Sequence, residues 1–140
     1  MISLRLVVDT NIVVSAALKP DGLQRTVLLL AITKPARIYV SKAILAEYRD
    51  VLSRPEFQIR KGLRQQLLDL VGKRAHSVTP TRILHVTSDP ADNIFLECAE
   101  AARADYLLTG NLQRFPRFWG KTKIITSREF VGLVTPPLLP

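Results

Sequence analysis

Leu4-Arg5-Leu6-Val7-Val8-Asp9-Thr10-Asn11 is the stretch that decides the fold. Its apolar, β-branched run, broken only by Arg5, reads as a strand covered on both faces. The run ends on a carboxylate, and the polar residues after it can open a helix. Three further segments also place a carboxylate or carboxamide where a strand gives way to a helix. They are Ser41 to Glu47, Ser88-Asp89-Pro90-Ala91-Asp92-Asn93, and Leu107-Leu108-Thr109-Gly110-Asn111. With parallel strands all of these groups converge on one edge of the sheet, because ligands of open α/β sheets bind outside the carboxyl ends of the strands.

Working outward, Asn11 to Leu18 is expected to form a short helix, followed by a turn at Lys19-Pro20-Asp21-Gly22. Leu23 to Thr33 is apolar almost all round, which predicts a well-buried helix ending before Pro35. Arg37 to Val40 is the second strand, and Ser41 caps a helix that runs to about Ser53 and stops before Pro55. Leu63, Leu67, Leu70 and Val71 mark an amphipathic helix with Arg64, Lys73 and Arg74 outside. Ser77 to Thr87 reads as a connector containing a short strand. Asp89 is a good N-cap with Pro90 at the first helical position, and this helix continues to about Arg103 with Ala91, Ile94, Phe95, Cys98, Ala99 and Ala102 as its buried face. Tyr106 to Thr109 and Lys123 to Thr126 add two strands, and Ser127 caps a last short helix. Strands alternating with helices predict a single three-layer α/β/α domain with a mostly parallel sheet over residues 1–134, followed by an extended apolar tail over 135–140.

The 140 residues are 47% hydrophobic, enough to bury a core and too many for a disordered chain. Twenty Lys and Arg against twelve Asp and Glu leave a formal charge of +8. Several of those acids belong to the converging segments, so the remaining surface is more basic still. A polyanion, nucleic acid above all, is the economical partner, and charge kept for solubility alone is the competing explanation. The single cysteine, Cys98, excludes an internal disulfide and reads as a small buried apolar residue. No apolar run approaches the roughly 18 residues of a membrane span, and no charged leader precedes the first strand, so a soluble cytoplasmic protein is expected.

Glu47 is the most telling acid. It lies three residues after Ile44 and four before Val51, on an apolar helical stripe where a carboxylate is costly unless something compensates it. Side chains lean toward a helix N-terminus, so Glu47 can reach back toward the sheet edge. Each candidate also has an ordinary structural role open to it: Asp9 as a turn residue, Asp92 complementing a helix dipole, Glu47 pairing with Arg49 or Arg54, and Thr109 and Asn111 as turn formers. Jointly, Asp9, Glu47, Asp92 and Asn111 form an oxygen-rich set that suits a hard metal acting on a phosphodiester. No Gly-rich phosphate loop occurs. An aspartyl-phosphate site would want a second acid beside Asp9, where Thr10 and Asn11 stand. His76 and His85 have no nucleophile near them in sequence and read as surface residues.

In Val8-Asp9-Thr10-Asn11, Ser41 with Glu47-Tyr48, Asp89-Pro90-Ala91-Asp92-Asn93 and Ala104-Asp105-Tyr106-Leu107-Leu108-Thr109-Gly110-Asn111, taken in this order and spacing, the chain resembles PIN-domain proteins. The likeness is to the toxin components of prokaryotic toxin–antitoxin systems, relatives of the VapC ribonucleases, and it runs nearly end to end. It implies a Mg²⁺- or Mn²⁺-dependent endoribonuclease leaving 5′-phosphate and 3′-hydroxyl ends. Asp9, Glu47 and Asp92 would hold the metal, with Asn11, Ser41, Asp89 and Thr109 in support. Asn111 stands where many members carry a fourth Asp, so it would ligate through an amide oxygen and the site would lose one charge. A cognate antitoxin and a homodimer are implied in the same way. Arg114-Phe115-Pro116-Arg117-Phe118-Trp119 interleaves cations with aromatics, which makes Arg114 and Arg117 candidates for gripping single-stranded RNA; packing of the aromatics on the domain is the other reading. The alternative function is a catalytically degenerate PIN-fold module that binds RNA or a protein partner, and a metal-dependent phosphatase is a third.

Overall fold

Leu6, Val7 and Val8 are all fully buried, as a strand covered on both faces requires, and their strand stands near the centre of the sheet. The computed structural model describes residues 4–135. Its elements run β1 (Leu4–Val8), α1 (Thr10–Leu18), α2 (Leu23–Ala31), β2 (Ala36–Val40), α3 (Lys42–Leu52), α4 (Lys61–Arg74), β3 (His76–Ser77), α5 (Pro90–Ala102), β4 (Tyr106–Leu108), β5 (Phe118–Trp119), β6 (Thr122–Ile125) and α6 (Ser127–Val134). Short 3-10 turns occupy Pro55–Phe57 and Leu112–Arg114.

The sheet has six strands in the order β3-β2-β1-β4-β6-β5, parallel except for the two-residue edge strand β5. From β1 the chain first builds outward through β2 to β3, then crosses back to lay β4 on the other side of β1. Val8 registers with Leu108 across that pair, which makes the β1–β4 boundary the topological switch point of the sheet. Helices connect the parallel strands and pack on the sheet, giving the α/β architecture. α5 packs on β1, β2 and β4, while α2 packs on β2 and joins α1 with α6.

Several local expectations need correction. α2 is buried only through Val27, Leu28 and Ala31, with Leu23 and Leu29 exposed. Its apolar residues outnumber the positions that face the sheet, so composition overstated its burial. Of the expected buried face of α5, Phe95, Cys98, Ala99 and Ala102 are inside, but Ala91 is exposed and Ile94 only half-buried, and Asp92, Asn93 and Leu96 are buried as well. The cap of α6 is Thr126, not Ser127. Thr126 closes a reciprocal capping box with Glu129, and the Ser127 hydroxyl donates to the Gln24 side chain instead. The antiparallel β5 was not anticipated, since two residues carry no periodicity. Thr135 donates its backbone N–H to the Val131 carbonyl and so closes α6, and the rest of the expected tail lies outside the described residues. Among the described residues no helix is long and apolar enough to cross a membrane.

Cys98 is fully buried on α5, and burial pushes its thiol up to about 12. The thiolate is the reactive form, so Cys98 is expected to resist iodoacetamide in the native protein at mildly alkaline pH and to react once the chain is unfolded in guanidinium. Intact-mass measurement before and after unfolding checks this; rapid native alkylation would contradict the packing of α5.

Candidate active site

Asp9 follows the last residue of β1, and its backbone N–H donates to the Leu108 carbonyl, so it sits at the switch point itself. On the neighbouring strand end, the Thr109 hydroxyl donates to Asp9 Oδ2 at 2.7 Å. Asn11, the second residue of α1, accepts the Gly110 N–H through its side chain at 3.3 Å. A Cβ on Gly110 would lie 3.2 Å from the Asn11 carboxamide, so the missing side chain lets the two strand ends close on each other. Thr109 and Asn11 thus fix the carboxylate and the turn that carries it.

Glu47 is delivered by α3. The Ser41 hydroxyl caps that helix by accepting the Ile44 N–H at 3.2 Å. The neighbour of Glu47, Tyr48, is fully buried and donates its hydroxyl to the Val8 carbonyl, pinning α3 to the end of β1. Asp92 arrives on the first turn of α5, capped by Asp89, whose carboxylate accepts the Ala91 N–H at 2.9 Å. Asp9, Glu47, Asp89 and Asp92 line one cavity of about 490 Å³, shared with Thr10, Asn11, Arg54 and Arg114 over an apolar wall that includes Val14, Val51 and Phe95.

Electrostatically the cavity is short of positive charge in one place and saturated in another. Burial raises the Asp9 carboxyl above the usual range, with Thr109 and Arg114 pulling the other way. Burial also raises Glu47, helped by the charges of Asp50, Asp89 and Asp9 and opposed by Arg54. Arg54 does not pair with Glu47, however; its side-chain contact is to Asp50, at 3.5 Å. Arg114 lies between the other two acids. Its Nη1 is 3.2 Å from Asp9 Oδ2, and its Nε–H donates to both Asp92 oxygens at 3.1 and 3.2 Å.

The structure therefore brings together Asp9, Glu47, Asp92 and Asp89, with Thr109 and Asn11 behind them, and leaves three candidates elsewhere. Ser41 is a buried helix cap outside the cavity. Asn111 is turned away: its side-chain oxygen accepts the Gln113 N–H at 3.2 Å and caps the Leu112–Arg114 turn, so it is not placed as a ligand. Arg117 is exposed toward the β5 edge, away from the cavity wall. Arg114 faces acids rather than solvent, and Phe115 is buried beneath it with the guanidinium 5.3 Å from the ring. Sequence reasoning missed this role. The available signal was a cation six residues past the end of β4, just after the polar Thr109 and Asn111. Tyr48 was missed as well, because its helical position is that of an ordinary core aromatic.

A profile of the PIN domain matches residues 5–113, more than three-quarters of the chain. Placed beside the switch-point acids, that match settles the family: the chain belongs to the PIN-domain proteins. Among solved structures, the crystal structure of VapBC2 from Rickettsia felis bound to a DNA fragment from their promoter is similar at 20% identity and a TM-score of 0.61, covering 88% of this chain and 98% of that one. At that identity the likeness speaks for the fold. No curated protein sequence matches the chain.

Proposed function

We propose that this PIN-domain chain is a divalent-metal-dependent endoribonuclease and the toxin of a toxin–antitoxin pair. One observation carries the reading: Asp9, Glu47 and Asp92, from three different elements, line a single cavity at the switch point of the sheet. The donor set fits Mg²⁺ or Mn²⁺, since it is all oxygen and rich in carboxylate. The Thr10 hydroxyl adds to that fit, for it is buried in the same wall without a hydrogen-bond partner. Among the described residues, no three His, Cys, Asp or Glu side chains converge closely enough to hold an ion as they stand, and Arg114 lies between Asp9 and Asp92. When bound, such an ion supplies an acidified water and offsets charge on the leaving oxygen. The chain's own part is to aim Asp9 through Thr109, to hold Glu47 through Tyr48, and to exclude bulk water with Val14, Val51 and Phe95.

The net charge of +8 suits an RNA substrate, and the exposed Arg117 is a candidate contact for it. An antitoxin partner is proposed by analogy with the VapBC2 complex, and a homodimer and a cytoplasmic location go with the same reading. The second reading, a non-catalytic module, draws on the same Arg114, which neutralises part of the acid set. Cleavage of mixed RNAs with Mg²⁺, Mn²⁺ and EDTA decides between them: the nuclease requires metal-dependent products that EDTA abolishes. RNA binding is also expected to weaken steeply between low and moderate salt as counterions are released, which a filter-binding series measures. Salt-insensitive binding would separate the basic charge from RNA.

A further inference from the structure

All four carboxylate oxygens of Asp9 and Asp92 lie against the Arg114 guanidinium, three of them accepting hydrogen bonds from it and Asp9 Oδ2 in an ion-pair contact. Nη2 reaches Asp9 Oδ1 at 3.3 Å and also bonds Asp92 Oδ1, while Nη1 and Nε take the remaining two oxygens. With the Thr109 hydroxyl also on Asp9 Oδ2, little acceptor capacity is left. The two acids are buried, but the Arg114 side chain keeps 33% of its surface exposed and borders the cavity. It hangs from the end of the Leu112–Arg114 turn, which is held by the Asn111 cap and by the Asn111 N–H donating to Thr109 Oγ1 at 3.0 Å. A guanidinium so placed can withdraw without disturbing the sheet.

We infer that Arg114 is an internal counter-cation that a divalent ion must displace, so that the site exists in an arginine-locked and a metal-loaded state. The inference rests on the metal-dependent reading above. Without metal, three carboxylates around one cavity repel one another, and the planar fork of Arg114 satisfies two of them. A divalent ion between Asp9 and Asp92 needs the same lone pairs and is repelled by the same guanidinium. The two cations therefore exclude each other, and the affinity measured for metal is the intrinsic affinity scaled down by the fraction of molecules that are unlocked. Asn111 becomes a positioning residue in this scheme, acting through the turn that carries Arg114.

Isothermal titration with Mn²⁺ tests the inference on the wild type, Arg114→Gln and Arg114→Lys, with circular dichroism confirming the fold of each. Arg114→Gln is expected to bind Mn²⁺ about tenfold or more tighter than wild type. Arg114→Lys should fall between, since it keeps the charge but loses the fork. Equal or weaker binding by Arg114→Gln overturns the inference and leaves the nuclease reading standing. No Mn²⁺ binding by either the wild type or a folded Arg114→Gln removes both. Should the variants fail to fold, the wild type still answers by NMR. The Arg114 Nε–H, held by Asp92, should exchange slowly without metal and rapidly at saturating Mg²⁺, and unchanged protection at saturation overturns the inference.

Discussion

Asp9→Asn is expected to lower RNA cleavage by about a thousandfold or more while leaving the protein folded. The substitution preserves shape and still offers an oxygen to the Thr109 hydroxyl, but it removes the most buried charge of the site. Loss of metal-based stabilisation worth several kcal/mol translates into a rate effect of that order. Stability should move the other way. Folding raises the Asp9 carboxyl above its ordinary range, so ionised Asp9 opposes folding. Stability present below the ordinary carboxylate range is lost as pH rises through the raised, folded value. The variant lacks that loss, so in EDTA its melting temperature relative to wild type should climb from acid toward neutral pH. A folded variant that cleaves at the wild-type rate would remove Asp9 from the machinery.

The largest stability effect is expected at Tyr48. Tyr48→Ala deletes a fully buried ring and should cost about 3–5 kcal/mol. That is a large share of the roughly 5–15 kcal/mol typical of a domain, and it should lower the melting temperature by roughly 10–15 °C. Tyr48→Phe isolates the hydroxyl. Removing its bond to the Val8 carbonyl should cost about 1–3 kcal/mol. That change also frees the segment of α3 that carries Glu47, so cleavage by Tyr48→Phe should fall through kcat even where the protein remains folded. Urea titrations of the three proteins measure the first effect and steady-state cleavage the second. A Phe variant as stable and as active as wild type would mean that the hydroxyl anchors nothing.

The β1 run, the Ser41 cap and the Asp89-Pro90 helix start were legible because each is a local signal: a β-branched stretch ending in a polar residue, a hydroxyl before an apolar stripe, a cap followed by proline. The convergence of Asp9, Glu47 and Asp92 was legible one step further, because a parallel sheet brings its carboxyl ends to one edge. What escaped was set by tertiary contacts. The face that α5 buries depends on how it packs on β1, β2 and β4; Phe95, Cys98, Ala99 and Ala102 face inward as expected, but in the first turn Asp92 and Asn93 are buried instead of Ala91. Asn111 as a cap and Arg114 as a clamp depend on a three-residue turn whose geometry has no period to read. A cation among aromatics looks the same in sequence whether it grips a phosphate or folds back onto a carboxylate.

Asp9 and Thr109 stand 100 residues apart in the chain, yet they touch. β4, one of the last strands to be synthesised, must slide in beside β1, the first. While the chain is still growing on the ribosome, β1 has one bare edge, Asp9 lacks its hydroxyl partner, and the turn bearing Arg114 does not yet exist. The acid-lined edge of the sheet is therefore finished only when β4 and the turn after it have been made. A truncated or stalled product of this chain carries the acids without the arrangement that aims them, so the strand order alone keeps fragments from assembling the site.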